Sequence, residues 1–192
     1  KNGLPVIFHI VSKMKYGSKV YTDHPNAFRY QEDLELINLN NVVFHKQIKN
    51  QEVLTLLSKS HFQIMPTLHD TYGFSIIEGF SVATPAITTN VCALPEIVRP
   101  DQNGYLLELE VNQNQNWTKK SFQRGSQEHW DILDSTYNNL ADQALKFLQE
   151  FLKTPEHYER LSAGAIAQAY NVHDSQKNRE LLDNLYSAIA QG

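Results

Sequence analysis

The chain carries a single cysteine, Cys92, among its 192 residues, so no internal disulfide can form and the composition suits a reducing cytoplasm. No secretory leader pattern opens the sequence, and no apolar run approaches the roughly 20 residues that cross a bilayer. These residues are therefore expected to contain no membrane span; peripheral attachment through sequence outside them stays compatible with this reading. Neither sign of charge dominates, since 17 Lys and Arg stand against 21 Asp and Glu for a net charge of -4. Without a basic field, binding to nucleic acid through counterion release is disfavoured. The eight histidines are scattered, with no His-Glu-x-x-His, no Cys/His cluster and no Asp-x-Asp, so no metal cofactor is expected. His61 and His69 read as ordinary helix-end and loop residues. A Gly-x-Ser-x-Gly nucleophile elbow is also lacking.

What is present alternates between strand and helix patterns. An apolar opening (Leu4, Val6, Ile7, Phe8, Ile10, Val11) predicts a buried parallel strand, and a loop over 13–27 follows. Helical signal covers 28–39, a strand 42–45, a helix 51–58, a strand 62–66 and a helix 74–83. Strands at 86–88 and 105–107 close the alternation. This order predicts an α/β domain built on a doubly wound parallel sheet, with its ligand crevice at the carboxyl ends of the strands. One domain is the economical reading, because a chain of this size buries roughly 70% of the surface that it would expose when unfolded. Residues 108–134 read as a polar insertion, including the run Asn112-Gln113-Asn114-Gln115-Asn116, with Trp117 and Trp130 as anchors more than as sugar-stacking rings. The last third, 135–192, is helical by periodicity (137–152, 156–169, 175–190), and Asp174-Ser175 reads as the cap of the last helix.

The segment that carries chemistry is Asp70-Thr71-Tyr72-Gly73-Phe74-Ser75-Ile76-Ile77-Glu78, lying between the strand at 62–66 and the helix that follows. A strand, a short loop and a helix start place unpaired amides with partial positive charge where a phosphate can sit. Gly73 allows close backbone approach and positive φ. Glu78, just over one turn into the helix, can accept two sugar hydroxyls at once, and Asp70 faces whatever lies beyond the phosphates. The same residues also have a plain structural reading as a helix cap, a turn glycine and a carboxylate complementing the helix dipole.

The stretch from Asp70 to Glu78, with Gly79-Phe80-Ser81-Val82-Ala83-Thr84-Pro85-Ala86-Ile87 after it, resembles the E-x7-E region of retaining GT-B glycosyltransferases of the family 4 type (glycosyl transferases group 1). Leu94-Pro95-Glu96-Ile97-Val98 and Asn103-Gly104-Tyr105-Leu106-Leu107 resemble that family's "PE-I-V" and "NG-x-L-V" stretches, in order and spacing. Asn41-Val42-Val43-Phe44 and Glu52-Val53-Leu54 resemble segments upstream of them. The resemblance implies a Rossmann-like donor-binding domain that takes a nucleotide-diphosphate sugar as substrate. Glu78 would then hold the ribose, and Gly73, Phe74 and Ser75 would offer amides to the diphosphate. Asp70, with Cys92, Ala93 and Leu94, would lie beside the donor sugar, and Gln47 and Ile48 would present backbone to the base. Asp70 and Glu78 are the candidate catalytic residues.

The same resemblance implies that the family's first strand and helix, and its acceptor-binding N-terminal domain, lie outside these residues. Asp70 stands where a longer glutamate is usual, and Cys92-Ala93 where two glycines are common, which restricts positive φ there. Lys13, Lys15 and Lys19 follow the first strand and read as solvated loop charges. Two other functions fit the same architecture, a nucleotide-sugar epimerase and a non-catalytic module that has lost donor binding.

Overall fold

The computed structural model describes residues 4–14, 22–119 and 123–190. Lys15 and Lys19 lie outside them. Five short strands and seven α-helices alternate: β1 (Phe8–Val11), α1 (Gln31–Glu35), β2 (Val42–His45), α2 (Asn50–Leu57), β3 (Gln63–Met65), α3 (Phe74–Ser81), β4 (Ala86–Thr89), α4 (Leu94–Ile97) and β5 (Gly104–Leu107), then α5 (Gln127–Phe151), α6 (His157–Val172) and α7 (Ser175–Ala190). Among the described residues these strands pair only in parallel, but they form two sheets. β1 pairs with β2, and β3, β4 and β5 pair in that order.

The three-stranded sheet is the one that builds the core. β4, flanked on both sides, has all four residues buried, and its two hydroxyls are satisfied inside. Thr88 Oγ1 donates to the Met65 carbonyl at 2.8 Å and Thr89 Oγ1 to the Thr67 carbonyl at 2.6 Å. On α3, Ile76 and Phe80 are both 0% exposed, each worth about 1.5–3 kcal/mol of burial. Ala83, expected to be the last residue of this helix, lies past its end at φ 63°. There its carbonyl accepts Ser162 Oγ of α6 at 2.7 Å. Leu161, Ala165 and Ala169 give α6 the small buried stripe that faces inward.

Three expectations need correction. The first strand is not buried: Phe8 is 38% and Val11 40% exposed, because β1 has a strand on one edge only among the described residues. The helix expected over 28–39 is broken into a 3-10 turn (Ala27–Tyr30), α1 and a second 3-10 turn (Leu36–Asn38), none with a buried residue. Without a packed face, so short a segment has nothing to hold it in one regular helix. Finally, α5 starts at Gln127, inside the stretch read as an insertion, with Ser126 Oγ accepting the His129 amide at 3.1 Å. The polar residues there form its solvent face, while His129, Leu133, Thr136 and Leu140 turn inward. What remains of the insertion includes a narrow loop closed by the Val111–Trp117 bridge and anchored by Trp117, which is 2% exposed. Trp130 packs edge-on to Tyr30 and His24 and so also serves as an anchor.

Candidate functional site

The carboxyl ends of β3 and β4 carry the loops that matter. After β3, the chain turns through Thr67, whose hydroxyl donates to the His69 carbonyl at 2.8 Å, and Leu68, which is buried at 4% exposure. The Asp70 carboxylate then closes the loop on itself. Its Oδ1 accepts the amides of Tyr72 at 2.9 Å and of Gly73 at 2.6 Å. Gly73 caps α3 in the left-handed region at φ 77°, and its carbonyl accepts the Ile76 amide at 2.9 Å. A Cβ at this position would sit 2.7 Å from Leu94 Cδ2, so glycine is required for both conformation and space.

Of the three amides expected to meet a diphosphate, Gly73's is therefore committed to Asp70. Those of Phe74 and Ser75 head α3 with no protein hydrogen bond among the described residues. They are the amides left open to an anion at this helix start. The Phe74 ring is 71% exposed and lies 5.0 Å from that of Tyr72.

Glu78 is half-buried one turn further along α3, and its Oε1 accepts the Asn50 side-chain amide at 2.9 Å. Asn50 is the first residue of α2, directly after the loop that holds Gln47, exposed, and Ile48, half-buried. This contact brings the Gln47–Ile48 loop to Glu78 and leaves Glu78 Oε2 with no protein partner among the described residues. Nothing in the sequence distinguished Asn50, because an Asn before a helix reads only as a cap.

The loop after β4 departs from expectation at Cys92. Instead of being restricted from positive φ, Cys92 adopts φ 51° and is held there by its amide donating to the Gln115 carbonyl at 2.6 Å. Its Sγ lies 3.5 Å from His69 Nδ1, so His69 belongs to the site's wall, although its sequence context gave no sign of this. Ala93 caps α4 in helical conformation. Leu94 is 0% exposed beneath Gly73, so its side chain supports the loop from below and offers no surface to a ligand. Pro95 and Glu96 are the second and third residues of α4. Lys13 is exposed beyond β1.

A further contact reaches the motif loop from the C-terminal helices. Tyr72 Oη lies 3.4 Å from Nδ1 of His173, the residue capping α6, and the two rings meet edge-on. Burial holds His173 below the usual imidazole range. Among the described residues, no three His, Cys, Asp or Glu side chains converge to hold a metal ion, and no helix is long and apolar enough to cross a membrane.

An alternating parallel α/β core with a helix start and two carboxylates at its strand ends belongs to the Rossmann-like α/β class. The fold matches that of sucrose-phosphate synthase (tll1590) from Thermosynechococcus elongatus with a TM-score of 0.57, at 18% identity, over 95% of this chain and 38% of that one. This is the GT-B glycosyltransferase fold. The family described as glycosyl transferases group 1 matches residues 17–120, more than half of the chain, and the chain belongs to that family. Similar curated proteins are an "Uncharacterized 41.2 kDa protein in cps region" of Klebsiella pneumoniae, 28% identical over 76 residues (40% of this chain, 21% of that protein), and "Uncharacterized glycosyltransferase MJ1178" of Methanocaldococcus jannaschii, 23% identical over 108 residues (56% and 31%). The chain thus spans between a fifth and a third of the curated relatives it matches.

Proposed function

We propose that this chain is the donor-binding domain of a retaining glycosyltransferase of the family 4 type, which takes a nucleotide-diphosphate sugar and passes the sugar to an acceptor. The observation that carries this reading is the hydrogen bond between Glu78 and Asn50. It brings the segment after the Gln47–Ile48 loop to the Glu78 carboxylate, on the same helix whose start leaves the amides of Phe74 and Ser75 open.

In this reading Glu78 accepts the ribose hydroxyls through its free oxygen, and Gln47 and Ile48 border the base. The Phe74 and Ser75 amides meet the diphosphate. As the glycosidic bond breaks, the departing diphosphate gains negative charge, and preorganised amides stabilise that charge most in the transition state. Asp70 orients the sugar with the oxygen not engaged by its own loop, and Cys92 and Ala93 border it. Neither acid acts as a nucleophile, and no metal enters the reaction.

The strand order supports the expected incomplete domain. A doubly wound sheet runs 3-2-1-4-5-6, and removing its first strand leaves pairs of the kind seen here, two strands (β2-β1) and three (β3-β4-β5). The first strand and the acceptor domain are then supplied by the rest of a longer polypeptide.

Calorimetric titration with UDP, GDP, ADP and their sugars tests the proposal. One nucleotide series binds, and Glu78→Ala weakens it by about 1–3 kcal/mol, the range for stranding hydrogen-bond partners. Flat titrations with every nucleotide favour a module without donor binding. An unchanged affinity in Glu78→Ala removes the assigned role.

A further inference from the structure

We infer that His173 is a positioning residue for the motif loop, locking the Asp70–Gly73 turn to the junction of α6 and α7 through the Tyr72 hydroxyl. Its link to donor binding rests on the function proposed above; the lock itself rests on geometry alone.

Other ties hold the loop up to the turn. Thr89 Oγ1 fixes the Thr67 carbonyl at 2.6 Å, Leu68 is buried, His69 meets Thr67 and Cys92, and Asp70 Oδ1 fixes the Tyr72 and Gly73 amides. The Tyr72 side chain projects from the surface, 41% exposed, as does that of Phe74. An exposed aromatic on a turn has many rotamers available, and its partners select among them. The Phe74 ring lies 5.0 Å away but is itself exposed, so the partner from outside the motif is His173, at 3.4 Å from Tyr72 Oη to Nδ1, with ring centroids 6.1 Å apart in edge-on geometry.

A neutral imidazole has one donor and one acceptor nitrogen, and a hydroxyl does both, so Nδ1 can pair with the Tyr72 hydroxyl in either tautomer. Nε2 is buried and has no partner among the described residues, so the ring is not held by a bond of its own on that side. His173 is placed instead by the backbone. It caps α6, its amide donates to the Ala169 carbonyl at 3.0 Å, and the next residue, Asp174, caps α7 by accepting the Lys177 amide at 2.8 Å. The ring is thus carried at the joint of two helices, and α6 in turn packs on α3 through Ser162 and the Ala83 carbonyl. Through Tyr72, this joint sets the turn that presents Asp70 and the open helix start.

Hydrogen exchange on the full polypeptide, read peptide by peptide, tests the lock. Tyr72→Phe and His173→Ala each speed exchange of the Tyr72 and Gly73 amides, the two held by Asp70, by about three- to tenfold, the scale of one net hydrogen bond, while β3, β4 and β5 keep wild-type protection. His173→Asn, whose side-chain amide can pair near the Nδ1 position, restores protection at Tyr72 and Gly73. Unchanged exchange of these two amides in both loss variants, or equal loosening of the three strands, overturns the inference. Nucleotide titration of the wild type decides the donor reading separately: failure to bind removes that reading and leaves the exchange result to judge the lock.

Discussion

Replacing Asp70 tests the geometry of the motif loop most directly. One carboxylate oxygen accepts two backbone amides, at 2.9 Å from Tyr72 and 2.6 Å from Gly73. A hydrogen bond to a charged group contributes about 1.5–3 kcal/mol when shielded and less when water can replace it. Tyr72 is exposed, so its amide recovers solvent after the change, whereas Gly73 is buried and its amide does not. Asp70→Ala therefore costs about 1–3 kcal/mol, mostly from Gly73. For a chain of 192 residues this is a fall in Tm of roughly 2–10 °C. Asp70→Asn keeps an acceptor oxygen in the same place and loses less than about 1 kcal/mol. Calorimetric melting of the three proteins at one pH reads the difference. If Asp70→Ala melts with the wild type, the loop does not depend on this turn. If Asp70→Asn falls as far as Asp70→Ala, the negative charge matters and the acceptor geometry does not.

Gly73→Ala forces a Cβ into left-handed backbone and toward Leu94, and a cost of about 1–3 kcal/mol in urea unfolding is expected; a neutral result would mean that the turn can change conformation. Trp117→Ala empties a fully buried site and costs about 3–5 kcal/mol, whereas Trp117→Phe costs much less because it keeps most of the volume filled while removing an indole N–H that has no partner among the described residues. Equal losses in the two variants would refute that assignment. Burial lowers the His173 pKa from its ordinary 6.5, so the unfolded chain takes up this proton first. The stability His173 contributes is full above that value and is lost as pH falls through the folded pKa. Chemical denaturation between about pH 7 and pH 5 should show a shallower pH dependence for His173→Gln than for wild type, spanning the ordinary imidazole range; identical slopes would refute the effect.

The order of elements was legible because hydrophobic period and turn residues act over a few positions. The strand expected at 86–88 became the fully buried β4 (Ala86–Thr89), Ile76 and Phe80 fell on one face of α3, and Asp174 capped α7. Gly73 and the carboxylates beside it could be picked out for the same reason, since their spacing lies within one loop and one helical turn. Contacts between distant segments were not legible. Nothing local to Asn50 announces Glu78, and nothing local to His173 announces Tyr72, 101 positions away. The exposure of β1 depends on a neighbouring strand, and the left-handed Cys92 on a carbonyl from the loop at 115. Sequence alone settled where the strands end and where the motif loop and its helix begin. Only the packed chain decided which oxygen of Asp70 is occupied, which amides of α3 stay open and which side chain steadies the turn, because those outcomes depend on partners that chain separation hides and close packing brings within hydrogen-bonding distance.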